Sequence, residues 1–335
     1  MSDEVLLRLI QQCSEHHGDL EGDVPDALRE STRLFLGEQQ REPELLVRAA
    51  AMLEELPPAG AAWLALTFGS AVEHGADPRP SSAALLDCLE GWMEALPTVD
   101  SDSEEEDEEL PQPTARQTEL LEYFPFVCQA LVAHLARLPS ERERLAQDQE
   151  LLSRLELLQA YSHGASWVRE ALLRTSGKLI VLHPPTGQGF ELSYSHVANC
   201  FHLFSLVQTA LGSALPGGRR ADAGVTAACR GQVTKVVHDE AWWHYGDPYC
   251  PTPTLQGSVW GEASVRSLPV IDGARVLLLW PKLLLSRTWD GGFFGPHLAA
   301  LPSDIEVARA LTAEEASRWL GRLGVEGYAK PSPRT

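Results

Sequence analysis

At 335 residues, with 44% hydrophobic and 22% charged side chains, the chain has the composition of a folded protein and the length for two domains. A formal net charge of −20 argues against nucleic acid and anionic membrane surfaces as partners. No apolar run reaches the roughly 18 residues that a membrane-spanning helix needs.

The charge is unevenly spread. Residues 1–99 hold 18 acidic and 6 basic side chains (−12), residues 100–109 hold 8 acidic and none basic (−8), and residues 110–335 hold 21 of each. An acidic front end steers towards a protein partner with a basic surface, and it also favours plain solubility. The start, Met1-Ser2-Asp3-Glu4-Val5, is acidic where a secretory leader is basic, so a cytoplasmic location is expected. The six cysteines form no C-x-x-C pair, which points away from a zinc ribbon, a redox motif or a disulfide framework. Only four of the 27 basic residues are lysine, and Ala, Leu, Gly and Pro abound, a composition suggesting a GC-rich, bacterial genome.

In chain order, Leu6, Leu7, Leu9 and Ile10 open a first helix. Pro25, Pro43 and Pro58 stand at favoured helix starts ahead of apolar-periodic segments, and Leu85, Leu86, Leu89, Trp92 and Met93 mark a fifth helix. Residues 1–99 are therefore expected to be an acidic helical domain, a bundle or a short helical array. Residues 100–113 form an acidic, disordered linker, because like charges this dense stay solvated and Pro111 and Pro113 follow. Thr114 with Gln117, and Ser140 with Glu143, have capping-box spacing, which predicts two long helices in a helical segment over 114–175.

From Ser176 the pattern changes. Lys178–Leu182 and Phe190–Tyr194 read as a hairpin around the turn His183–Gly189, and the stretch 197–211, apolar on most sides, as a buried helix. Val233–Val237, Ser258–Trp260 and Val276–Leu279 are further strand candidates, and Thr312 with Glu315 caps a last helix. The expected class is α+β: an all-helical N-terminal region, then a mixed α/β domain over 176–327 with a small sheet and helices on one side, and a tail at 328–335.

The segment from His238 to Cys250 is the richest in chemical groups. His238, Asp239 and His244 have the donor types of a zinc or iron site. Alternatively, His238, Glu240 and His244 supply catalytic acid/base groups, with Trp242, Trp243 and Trp289 as ligand-binding rings. The spacing matches no established metal pattern, so a structural role for these residues is the preferred reading. Thr186-Gly187-Gln188-Gly189 lacks the Lys-Ser/Thr of a phosphate loop, and Gly257-Ser258-Val259-Trp260-Gly261 is not a nucleophile elbow. His196 and His202 are six apart around the buried helix and read as core or surface histidines. The aromatic, glycine-rich loop 289–296 would make a pocket credible only if it met 238–250 in space.

These features favour a non-enzymatic interaction or regulatory protein, an accessory subunit of a multi-protein system, with no cofactor expected. The alternative is a hydrolase-like enzyme, in one version metal-dependent, with its site around 238–250 and 289–296.

Overall fold

The computed structural model describes residues 2–18, 20, 22, 24–97, 112–230, 232, 238–240, 243–283, 288–290 and 301–325, with 238–240 and 288–290 given by their backbone. The fold is α+β. The expected acidic linker (almost entirely), the strand candidate at Val233–Val237, Trp242 and the tail lie outside the described residues. The chain divides into two compact units, Met1–Leu172 and Leu173–Thr335. No helix among the described residues is long and apolar enough to cross a membrane.

The first unit is helical: α1 (Ser2–Glu15), α2 (Asp26–Gln39), α3 (Glu44–Ala50), α4 (Pro58–Glu73), α5 (Arg79–Ala95), α6 (Ala115–Leu135), α7 (Pro139–Leu145), α8 (Gln149–Leu158) and α9 (His163–Leu173). Prolines precede α2 and α3 directly and open α4, as the sequence implies. α4 is buried along nearly its whole length and packs against α1, α2 and α6, so the helices gather into a bundle around it. Its small residues permit this. A Cβ on Gly60 would stand 2.1 Å from the Cys13 carbonyl oxygen, and one on Gly69 would stand 3.1 Å from the Ala130 Cα.

Capping chemistry sets the later helix ends. At α6 the Thr114 side chain accepts from the Gln117 amide at 3.3 Å, while Gln117 Oε1 accepts from the Thr114 amide at 2.9 Å, the reciprocal box expected. The second expected long helix is instead two. Pro139 opens α7 ahead of Ser140, and the Asp148 carboxylate accepts from the Leu151 amide at 3.0 Å, starting α8 afresh. A polar link joins α5 to α6. His134 Nδ1–H donates to the Ala130 carbonyl at 2.8 Å, and Ser81 Oγ donates to Nε2, also at 2.8 Å, with both residues fully buried. Those two partners fix the neutral ring.

The second unit holds β1 (Thr175–His183), β2 (Gln188–Val197), α10 (Cys200–Leu211), α11 (Ala223–Cys229), β3 (His238–Glu240), β4 (Trp243–Gly246), β5 (Val270–Ile271), β6 (Ala274–Pro281), β7 (Thr288–Asp290), β8 (Asp304–Ala310) and α12 (Ala313–Arg322). Its main sheet runs β4-β6-β1-β2-β8, with β5 also on β6. β1 pairs antiparallel with β2, from Leu179↔Leu192 to His183↔Gln188, and parallel with β6, from Leu179↔Arg275 to Leu182↔Leu278. The segment 184–187 is thus a hairpin turn, closed by Gly187 at φ 66°. Ser258–Trp260 is not a strand: a single bridge, Gly246↔Ser258, follows a run containing Pro248, Pro251 and Pro253, residues that cannot donate to a ladder.

Helices cover both faces of this sheet, which corrects the expectation of one. Leu179, Val181, Leu277 and Leu279 pack with Leu203, Leu206 and Val207 of α10. Ile180, Leu182, Val276, Leu278 and Trp280 turn to the other face and pack with Leu320 of α12. Successive residues of a strand point to opposite sides, so the unbroken apolar runs of β1 and β6 require cover on both. The Thr312–Glu315 box caps α12 as expected.

Candidate functional site

The segment that gathers most chemistry begins on β3. β3 pairs antiparallel with β7 in the register His238↔Asp290, Asp239↔Trp289 and Glu240↔Thr288. The backbone of the 238–250 segment therefore meets the start of the 289–296 loop, although 48 residues separate Glu240 from Thr288 in the chain. These two strands form a ribbon separate from the main sheet, while β4 and β6, their neighbours in the chain, pair inside it.

On β4 the side chains alternate. Trp243 and Tyr245 enter the core under α10, where the Tyr245 ring stacks on Phe204 with centroids 3.7 Å apart and planes 7° from parallel. The Tyr245 hydroxyl donates to the Phe204 carbonyl at 3.2 Å. Trp243 is 2% exposed, and its ring lies where a Cβ on Gly218 would come within 2.2 Å. Its side chain belongs to the core beneath α10. His244, opposite Trp280, is buried on the other face. Ser258 Oγ lies 3.3 Å from His244 Nε2 and 3.5 Å from Nδ1. Being nearly equidistant, it is aligned with neither nitrogen in the way a nucleophile and its base must be. Of the predicted metal ligands, His244 alone has a described side chain; His238 and Asp239 are placed by backbone. Among the described residues, no three His, Cys, Asp or Glu side chains gather as a metal site.

Three other histidines, His183, His196 and His202, lie on β1, β2 and α10. His202 on α10 is 2% exposed, and burial, then the nearby Arg174, push its pKa down to about 3. His183 Nδ1 meets Thr186 Oγ1 at 2.8 Å across the hairpin turn, and burial lowers its pKa. His196 takes a left-handed backbone, φ 51°, near the end of β2, with its amide donating to Ser176 Oγ at 3.0 Å.

The helical unit carries features that linear reading missed. Glu90 and Glu94 of α5, with Asp148 and Glu150 at the start of α8, line a cleft of about 190 Å³. Burial, reinforced by the charges of Asp87, Asp148 and Glu94, holds the Glu90 carboxyl above its ordinary pKa. The cleft brings together carboxylates more than fifty residues apart, and nothing local signals it. A second cavity, of about 250 Å³, lies between the ends of α2 and α4 and the starts of α3 and α5. It is lined in part by Gln39, which is 5% exposed. That residue did leave a trace in the sequence: it extends the buried stripe Leu28, Ser31 and Phe35 by one helical turn.

Compared with protein-family models, with curated proteins and with solved structures, the chain matches none of them.

Proposed function

We propose that the chain is a non-enzymatic interaction protein, an accessory subunit whose helical unit presents an acidic surface to a protein partner with a basic one. One observation carries this reading. The boundary between the two compact units is also an electrostatic boundary: residues 1–172 hold 34 acidic and 12 basic side chains (−22), and residues 173–335 hold 13 and 15 (+2). A single-sign field confined to one unit steers a complementary partner to that unit and repels phosphate backbones and anionic lipid. The cleft lined by Glu90, Glu94, Asp148 and Glu150, with Arg154 beside them, gathers part of that charge. Six free cysteines suit the reducing cytoplasm, where this reading places the protein.

The full chain, used as bait at about 0.15 M salt, is expected to retain a basic protein. The exposed pair Glu94→Lys and Glu150→Lys is expected to weaken that capture about tenfold, with the fold intact by circular dichroism. Retention of no protein, or capture indifferent to the reversal, contradicts the proposal.

The β3–β7 ladder favours one second reading, a hydrolase-like, metal-dependent enzyme built around His238, Asp239 and His244, because it brings 238–240 against 288–290. Elemental analysis of the purified chain tests it. Stoichiometric zinc or iron, lost on His244→Ala, supports this reading; metal-free protein, or metal unaffected by that substitution, sinks it.

A further inference from the structure

The cavity of about 250 Å³ in the helical unit is walled by Pro43, Leu46, Ala76 and Pro80 and shaped by the turn after α4. There Gly75 takes φ 100° while its amide donates to the Val72 carbonyl and the Ala76 amide to that of Ala71. This double bond pattern closes a helix and needs a left-handed residue, which glycine supplies. Two polar groups open onto the apolar walls. His74 Nδ1 meets the Ser70 carbonyl at 2.7 Å, and since a carbonyl only accepts, Nδ1 is the donor there. Gln39, 5% exposed, has no hydrogen bond to its side-chain amide among the described residues. The amide lines the cavity without a protein partner, so a ligand that offers it a donor and an acceptor takes the place of water there.

The rim indicates which ligand. Each arginine nearby already has a carboxylate: Arg41 with Glu38, Arg48 with Asp3 and Glu42, and Arg79 with Asp77. Glu44 and Glu73, each next in sequence to a lining residue, are exposed and have no ion partner among the described residues. We propose that this cavity is a peptide-anchor site: it takes one leucine-sized apolar side chain of a partner, whose adjoining peptide bond pairs with the Gln39 amide and whose neighbouring lysines or arginines meet Glu44 and Glu73. An amide presents a donor and an acceptor side by side, the complement of a peptide N–H and C=O. The walls suit an aliphatic group, and the leftover carboxylates select basic flanks. This inference rests on the interaction role proposed above and gives it a location and a sequence preference.

The test is an NMR titration of the isotope-labelled full chain with acetyl-Lys-Leu-Lys-amide, read at the Gln39 side-chain amide. Saturable shifts are expected, with a dissociation constant on the order of millimolar for so small a probe. Acetyl-Lys-Ala-Lys-amide is expected to bind at least about tenfold more weakly, and acetyl-Glu-Leu-Glu-amide to leave the resonance unmoved. Two variants guard against misfolding. Gln39→Met is expected to keep the fold by circular dichroism while weakening the leucine probe as read at the Leu46 methyls. Ala76→Phe is expected to fill the cavity and abolish binding. Equal binding of the alanine probe, or unchanged binding in a folded Ala76→Phe chain, overturns the inference. A silent cavity beside intact, charge-dependent capture sinks the anchor site and spares the interaction role; a normal titration beside failed capture sinks the role and spares the site.

Discussion

Replacing Gly60 with alanine is expected to cost the helical unit about 3 kcal/mol and to lower its melting temperature by roughly 6–12 °C. On intrinsic propensity the change should help, because alanine is favoured over glycine inside a helix by about 1 kcal/mol. Packing reverses the sign. The new Cβ would stand 2.1 Å from the carbonyl oxygen of Cys13 and 2.8 Å from its carbonyl carbon. Both are main-chain atoms of the chain end of α1, so no rotamer change relieves the contact and the helices must part. Gly37, inside α2, is the control: a Cβ there meets nothing within 4 Å. Gly37→Ala is expected to stabilise by about 1 kcal/mol. Thermal melts of the two variants followed by circular dichroism check the contrast, and equal shifts would show that α1 and α4 do not meet through Gly60.

The second large effect depends on pH. Burial pushes the pKa of His134 down to about 4 from the 6.5 of an exposed imidazole, because the charged ring finds no solvation between α5 and α6. A group that binds its proton more weakly when folded contributes stability that is complete above about pH 6.5. That contribution is lost as the pH falls towards about 4, where the folded form protonates as well. Between about pH 7.5 and about pH 4.5 the loss assigned to His134 is on the order of 2.5 kcal/mol. Urea unfolding of the native chain and of His134→Gln at the two pH values isolates it, since every other titrating group cancels in the difference. The native chain is expected to lose more stability than the variant by that amount, even though His134→Gln is the weaker protein at neutral pH. Parallel losses in the two proteins would mean that the ring is not held neutral. His202, lowered further, adds a similar acid sensitivity to the sheet unit.

Much of the helical architecture was legible because helix ends are decided locally. Pro25, Pro43 and Pro58, and the Thr114–Gln117 and Thr312–Glu315 boxes, act within a few residues of themselves and stand where expected. The break between α7 and α8 was missed because Asp148 competes with a continuous helix by a single side-chain bond, which apolar periodicity does not register. Two-sided burial of the sheet was written in the sequence and misread. Phe190-Glu191-Leu192-Ser193-Tyr194 alternates, as a strand with one wet face does, whereas Leu179–Leu182 and Val276–Leu279 do not. The pairing of β3 with β7 had no local signal, since its partners are brought together by the β4–β6 ladder that lies beside them in the chain. Trp243 and His244 looked like site residues because aromatic and ionisable groups cluster in sequence there. On a strand, neighbours face opposite sides: Trp243 enters the core beneath α10, and His244 is buried on the other face. The Gln39 cavity needed four helix ends in one place, and only the polar residue on an apolar stripe foreshadowed it.

The interaction role is tested most directly by measuring the affinity of the intact chain for its captured partner from about 0.05 to about 0.5 M salt, with hydrogen-exchange protection mapped on the complex. A steep fall in affinity as salt rises, with protection concentrated in residues 1–172, is the predicted result. Affinity insensitive to salt, with protection confined to residues 173–335, would contradict it.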